Sequence, residues 1–77
     1  MQQYLSNLKI GQSGFISEIL IQDIDKKRHL LELGLTKGTK VKVKKTAPYG
    51  GSISINLRGY ELCISKKDAK NIIVLLV

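Results

Sequence analysis

Side chains suited to nucleophilic catalysis are scarce in this 77-residue chain, which has one histidine, His29, and one cysteine, Cys63. A cysteine nucleophile needs a base beside it and a third group that orients that base. The two residues fall on different predicted elements, and neither has an evident orienting partner. The sequence therefore favours an exposed histidine on a helix and a half-buried cysteine on a strand, because free cysteine commonly packs as a small apolar residue.

The same two residues are the only soft ligands that the chain offers to a transition metal. A structural zinc site usually takes four ligands in paired cysteine or histidine spacings. We therefore predict no metal-binding residue. A weak site in which Cys63 or His29 is joined by a carboxylate or by a second chain stays open, and with it the alternative of a weak transition-metal-binding sensor.

Nucleotide and cofactor sites have no support in the sequence. The segment 34–38, Gly-Leu-Thr-Lys-Gly, has neither the Walker nor the dinucleotide-binding spacing, so a helix end followed by a turn is the better interpretation. The six acidic residues are scattered singly, without a pair suited to acid and base roles. We expect no cofactor and no enzymatic activity.

Positive charge dominates the chain, since 13 Lys and Arg oppose 6 Asp and Glu and give a net charge of +7. Such a charge favours encounter with an acidic protein, nucleic acid or anionic lipid. Lys40, Lys42 and Lys44 alternate with two valines, as on the solvated face of a strand. Single-strand binders of this size add exposed aromatic rings, and Tyr49 alone is expected to be exposed. A basic nucleic-acid-binding β-barrel is therefore an alternative and not the first choice.

Cysteine content and the first residues bear on where the protein works. A lone cysteine cannot form an internal disulfide, whereas small domains of oxidising compartments usually carry several. The first seven residues, Met-Gln-Gln-Tyr-Leu-Ser-Asn, lack the basic and apolar regions of a signal peptide. The closing apolar run, 72–77, is far shorter than the about 20 residues that cross a bilayer. We expect a cytoplasmic protein.

Turn and cap signals divide the chain into short elements. Residues 14–21, Gly-Phe-Ile-Ser-Glu-Ile-Leu-Ile, are rich in β-branched and aromatic residues and predict a first strand. A helix is predicted to begin at Asp23 or Asp25, which suit its N-cap, and to end at Gly34, which can adopt a left-handed conformation. Leu35 is then expected to pack back onto Leu30.

Period-two alternation predicts three more strands, and Val41 and Val43 should face the core in the first of them. Arg58-Gly59 suits a tight turn, and Ser65 to Asp68 has the pattern of a capping box for one helical turn. The final apolar run predicts a strand buried on both faces. The three strands cover 39–46, 52–57 and 60–64. These elements predict one mainly β domain over residues 1–77, a small closed barrel of about five strands with a helix after the first strand and a helical turn before the last.

Several short motifs in a fixed order carry a resemblance to a known family. They are Leu30-x-x-Leu33-Gly34-Leu35-x-x-Gly38, Val41-x-Val43, Ala47-Pro48-x-Gly50, Arg58-Gly59-Tyr60-Glu61-Leu62 and Ala69-x-x-Ile72. In this combination the chain resembles the FeoA family, small cytosolic proteins that accompany the bacterial ferrous iron transporter FeoB. The resemblance implies an SH3-like barrel and a non-enzymatic accessory or regulatory role in ferrous iron uptake.

The resemblance also implies a protein partner, the cytosolic part of FeoB, which would recruit the protein to the inner membrane face without direct membrane insertion. Self-association stays open. We place the hypothetical contact on the inserted helix and the adjacent loop, because interfaces favour Arg and Tyr anchors around an apolar centre. The predicted partner-binding residues are Lys27, Arg28 and Leu31 on the helix and Pro48, Tyr49 and Gly50 in the loop.

Overall fold

The computed structural model describes residues 1–47 and 51–77, and its strands form an antiparallel sheet in the order β1-β6-β2-β3-β4-β5. The strands are β1 Gln2–Tyr4, β2 Ser13–Ile19, β3 Lys40–Thr46, β4 Ser52–Leu57, β5 Tyr60–Ser65 and β6 Ile72–Leu76. A 3₁₀ turn covers Leu5–Asn7, and the α-helices are α1 Ile24–Glu32 and α2 Lys66–Ala69. The prediction of a mainly β fold with these two helical insertions is confirmed.

Strand β1 was not predicted from the sequence, so the sheet of the described residues has six strands and not five. Gln2-Gln3-Tyr4 has no apolar alternation and becomes a strand by pairing with β6, where Gln3 lies opposite Val74. The first predicted strand is also displaced, since it covers 13–19 and not 14–21.

The hydrogen-bonded ladder does not close into a barrel, because among the described residues β1 and β5 each pair on one side only. The gap between these two edges is filled by packing. Helix α2 contacts both β5 and the 3₁₀ turn that follows β1. Contacts of α2 with β5 and the 3₁₀ turn thus bridge the two edges that strand pairing was expected to join.

Helix α1 ends as predicted. Gly34 has a φ of 99°, a left-handed conformation that glycine adopts at little cost. Its N–H donates to Leu31 O at 3.0 Å, and the N–H of Leu35 donates to Leu30 O at 3.0 Å. These two bonds form a Schellman motif, and both Leu30 and Leu35 are buried in the core.

Strand β3 keeps the predicted alternation from Lys40 to Lys44. Val41 and Val43 are buried, and the lysines between and before them are exposed. The ladder to β4 then shifts register, and Lys45 lies opposite Ser54. Lys44 is exposed like Lys40 and Lys42, so the predicted solvated row of three alternate lysines is confirmed, and the register shift leaves Lys44 as the extra residue of a bulge.

A two-residue turn joins β4 to β5, as predicted. Arg58 and Gly59 have φ values of 48° and 85°, and Leu57 lies opposite Tyr60 at the end of the ladder. Positive φ at both central residues is the signature of a type I′ turn, whose twist matches that of the flanking strands.

Strand β6 is central in the sheet, yet it is buried on one face only. Ile72 and Val74 are fully buried, whereas Leu75 on the other face is 45% exposed. The expectation of burial on both faces is corrected, because no element covers this outer face among the described residues.

The largest fully buried side chains are Leu5, Ile16, Leu35, Val41, Val43, Ile53, Ile55, Leu57, Ile72 and Val74. In the part of the chain that the structure describes, no helix has the length and hydropathy to cross a membrane.

Candidate functional site

A groove between α1 and β2 contains two of the predicted partner-binding residues. It is lined by Lys27 and Leu31 of α1, Glu18 and Ile19 of β2, and Lys37, and its volume is about 250 Å³. Leu31 is 40% exposed, so it is not a core residue. The groove therefore presents a leucine and two lysines to solvent, together with one carboxylate.

The position of Lys27 and Leu31 follows from how α1 begins and packs. The Asp23 side chain accepts a hydrogen bond from Lys26 N at 3.2 Å and so caps the helix, as one of the two predicted caps. Leu30 is buried and fixes the rotation of the helix against the core. Lys27 and Leu31 are one turn apart, and their side chains therefore lie on the same face.

An ion pair between Lys26 and Asp68 connects α1 to α2. Lys26 Nζ lies 3.3 Å from Asp68 Oδ1, and the Asp68 side chain is largely buried. Helix α2 is itself capped by Ser65, whose Oγ accepts from Asp68 N at 3.1 Å, which confirms the predicted cap. One partly exposed ion pair therefore connects the face of α1 next to the groove to α2.

Arg28, the third predicted residue on α1, does not line the groove. Its guanidinium Nη1 lies 3.8 Å from Asp25 Oδ1, and both side chains are largely exposed. An exposed ion pair of this kind contributes about 0–1 kcal/mol. Arg28 is thus held loosely and lies beside the groove, not in it.

The other three predicted residues, Pro48, Tyr49 and Gly50, lie outside the described residues. The residue that follows them is described. Gly51 O accepts a hydrogen bond from Lys66 N at 3.3 Å, so this end of the loop lies at the first turn of α2.

Three groove residues, Glu18, Ile19 and Lys37, were not predicted. The ladder between β2 and β6 shifts register between Ile16 and Glu18, which makes a bulge in β2. This bulge explains why apolar and polar residues alternate imperfectly along 14–21 in the sequence. Lys37 has no comparable signal, because its place depends on how the chain runs after α1.

The segment that carries Lys37 is held by Arg58. The Arg58 guanidinium donates from Nη2 to Thr39 Oγ1 at 3.2 Å and from Nε to Gly34 O at 3.4 Å. Thr39 is buried, and its hydroxyl donates to Gly34 O at 3.2 Å while lying 2.9 Å from Thr36 Oγ1. The segment 34–39 is therefore cross-linked by hydrogen bonds on one side of the groove.

His29 and Cys63, the two candidate ligands, are both exposed. The expectation of a half-buried Cys63 is corrected, since β5 is an edge strand and its outer face is uncovered. Within residues 1–47 and 51–77, no three His, Cys, Asp or Glu side chains are grouped as a metal site would require. The groove offers charge and an apolar contact, which is the chemistry of binding a partner.

Comparison with known proteins identifies the family. The model of the FeoA domain matches residues 3–76, which is nearly the whole chain. Among curated proteins, no sequence matches.

Solved structures agree with this match. An iron uptake regulatory protein, FeoA, superposes with a TM-score of 0.87 at 28% identity, over 100% of this chain and 99% of that chain. FeoA from Chlorobium tepidum gives a TM-score of 0.90 at 32% identity, over 97% of this chain and 70% of that chain.

A third solved structure is described by its fold. The zinc complex of Stenotrophomonas maltophilia FeoA, described as a prokaryotic SH3 domain protein, gives a TM-score of 0.74 at 25% identity, over 96% of this chain and 88% of that chain. The SH3-like expectation is thereby confirmed. With a family model matching almost its full length, the chain belongs to the FeoA family.

Proposed function

We propose that this protein is a non-enzymatic accessory protein of bacterial ferrous iron uptake, which acts by contact with the cytosolic part of the FeoB transporter. Family membership supports the connection to iron. One similar structure is of an iron uptake regulatory protein, and another is described in relation to ferrous iron transport. In this proposal residues 1–77 act as one domain at the cytoplasmic face of the inner membrane, recruited there by the transporter.

The observation that carries the proposal is the groove between α1 and β2. Leu31 is a large apolar side chain exposed between two lysines, Lys27 and Lys37. Binding sites commonly place an apolar anchor at the centre and charged groups at the rim. Such a groove suits an acidic segment with one apolar side chain that packs on Leu31. Glu18 would select against basic segments, because like charges across an interface cost free energy.

The remaining predicted residues form the rim of the interface in this proposal. Arg28 follows Lys27 in α1, and contact with a partner would break only its weak, exposed ion pair with Asp25. The loop residues Pro48, Tyr49 and Gly50 belong to the same proposed rim. Rim charges act mainly on the rate of association and its salt dependence, and less on the affinity itself.

Calorimetric titration of this protein into the purified cytosolic domain of the matching FeoB, at moderate salt, tests the proposal. We expect a saturable signal that weakens as salt rises. No binding at any salt concentration, with both proteins folded, would exclude direct contact with that domain.

The two alternatives have readouts of their own. A metal sensor would show a melting temperature that rises with added Fe²⁺. A nucleic-acid-binding protein would show an affinity for single-stranded DNA that falls steeply with salt.

A further inference from the structure

The outer face of β1, β6 and β2 carries a cluster of apolar side chains that the proposed groove does not use. Phe15 is 42% exposed, Leu75 is 45% exposed and Tyr4 is 46% exposed, and Ile73 is half-buried among them. Phe15 lies directly opposite Leu75, and Tyr4 lies opposite Ile73. Directly opposite side chains on one face are about 5 Å apart at Cβ, so the four form one continuous surface, the Phe15 face.

Lysines border the Phe15 face on β3. Lys40 lies directly opposite Phe15, and the next outward residue, Lys42, lies opposite Ser13. Both lysines are exposed, and neither forms an ion pair within the described residues. They line a groove of about 420 Å³ together with Ser13 and Asn56. The border is therefore cationic.

Charge restricts what can cover this surface. The chain has a net charge of +7, so a second copy would bring like charge to like charge. The occupant that complements Lys40 and Lys42 is anionic.

The form of the face favours a bilayer over an acidic protein. Phe15 and Leu75 are exposed and line neither groove at the edges of the face, whereas Tyr4 and Ile73 line a shallow groove of about 160 Å³ beside β1. Protein anchors are usually received in pockets, whereas apolar side chains that project beside lysines enter the headgroup region of a membrane. Tyr4 adds a ring with an apolar body and a polar tip, which suits the same depth.

We propose that the Phe15 face docks peripherally on bilayers that contain anionic phospholipid. Phe15 and Leu75 enter the interfacial region, and Lys40 and Lys42 pair with headgroup phosphates. Glu18, which lies opposite Ile73, is the carboxylate at the far edge of the face and belongs to the groove of α1. Docking in this orientation leaves that groove at the rim of the contact, open to a partner in the same membrane.

Vesicle flotation without any transporter tests this proposal separately from contact with FeoB. We expect binding to vesicles of phosphatidylcholine with phosphatidylglycerol and little binding to phosphatidylcholine alone. The double change Lys40→Gln and Lys42→Gln should lower the partition coefficient by roughly thirtyfold, because each lysine near an anionic surface adds roughly 1 kcal/mol. The same charge change at α2 and its C-cap, Lys67→Gln and Lys70→Gln, should have little effect.

Entry of the Phe15 side chain into the interfacial region can be followed by fluorescence, because the chain has no tryptophan of its own. In Phe15→Trp the single indole should shift its emission to the blue on anionic vesicles, and in the control Lys67→Trp it should not. Phe15→Ser with Leu75→Ser should weaken vesicle binding by at least about tenfold in the folded protein, and it should also lower the melting temperature, because more than half of each side chain is buried and the two are paired across the strands.

Three outcomes would overturn the proposal. They are equal losses for the β3 and α2 lysine pairs, an unshifted emission from Phe15→Trp, and a loss of affinity for the FeoB domain but not for vesicles in the Phe15→Ser, Leu75→Ser variant. The last outcome would assign the face to an acidic protein.

Discussion

Arg58 Nη2 donates a hydrogen bond to Thr39 Oγ1 at 3.2 Å and so joins the β4–β5 turn to the segment that follows α1. Thr39 in turn donates to Gly34 O, the carbonyl of the residue that ends the helix. One guanidinium and one buried hydroxyl therefore connect three separate parts of the fold. The same connection holds Lys37 at the edge of the α1–β2 groove.

Thr39→Val should destabilise the protein by about 1–2 kcal/mol, because it removes a buried hydroxyl and leaves Gly34 O and Arg58 with fewer partners. Denaturant unfolding measures the change. Thr46→Val, a half-buried threonine of β3 whose side chain has no hydrogen bond within the described residues, is the control and should change the free energy of unfolding by less than about 0.5 kcal/mol. Equal effects of the two substitutions would show that the hydroxyl of Thr39 is not the cause.

Gly34→Ala should cost about 1–2 kcal/mol or more, since an L residue at a φ of 99° is strained. Its Cβ would also lie 3.2 Å from Arg58 Cδ and 3.3 Å from the Tyr60 hydroxyl. Thermal unfolding should show a lower melting temperature. At Gly51, by contrast, an added Cβ meets Ala47 Cβ at an ordinary 3.6 Å, so Gly51→Ala should be neutral or slightly stabilising. A neutral Gly34→Ala would contradict the Schellman assignment.

Gly14→Ala is expected to be more severe than Gly34→Ala. Gly14 is buried in β2, and an added Cβ would collide with Val74 Cγ1 and lie 2.6 Å from Leu75 O. Because a backbone oxygen cannot move without β6, the two strands would have to separate. We expect a loss of at least about 3 kcal/mol, comparable with severe core overpacking, or no folded protein at all. Ordinary stability and unchanged amide exchange in β6 would count against this close approach.

The α1–β2 groove predicts which substitutions weaken contact with FeoB. Leu31→Ser should raise the dissociation constant by about 10–30-fold, as for the loss of a central anchor, and Lys27→Glu by a similar factor. Arg28→Ala, at the rim, should act mainly on the association rate. Lys9→Glu makes the same charge change as Lys27→Glu at a residue that does not line the groove, and should leave affinity nearly unchanged. Equal effects of the two charge reversals would point to net charge and away from the groove.

The ion pair between Lys26 and Asp68 should be worth about 0.2–1 kcal/mol, because it is only partly shielded from solvent. A double-mutant cycle with Lys26→Met and Asp68→Asn measures this coupling energy. The coupling should shrink as salt is added. A coupling of zero at low salt would mean that this ion pair does not stabilise the position of α1.

Much of the fold could be predicted because it depends on neighbours in the chain. Asp23 caps α1 and Gly34 ends it through bonds that span at most a few residues. The turn at Arg58-Gly59 and the burial of Val41 follow equally from local conformation and period-two alternation. The ordered motifs were sufficient to indicate the family.

Candidate sites were predicted less completely. Lys27 and Leu31 were predicted as a basic and an apolar residue of the inserted helix and both line the groove, but Glu18 and Lys37, which also line it, were not predicted. Glu18 faces the groove only because a bulge in β2 changes its register with β6.

The amino-acid sequence by itself determined most of the elements, both ends of α1 and the family of this protein, because caps, turns and alternation act within a few residues. The tertiary structure alone decided that Gln2-Gln3-Tyr4 is a strand, that Leu75 is exposed beside Phe15, and that Arg58 reaches Thr39. Each of these depends on pairing between distant segments. Register in such pairs is set by how all the strands pack together, and no local pattern contains it.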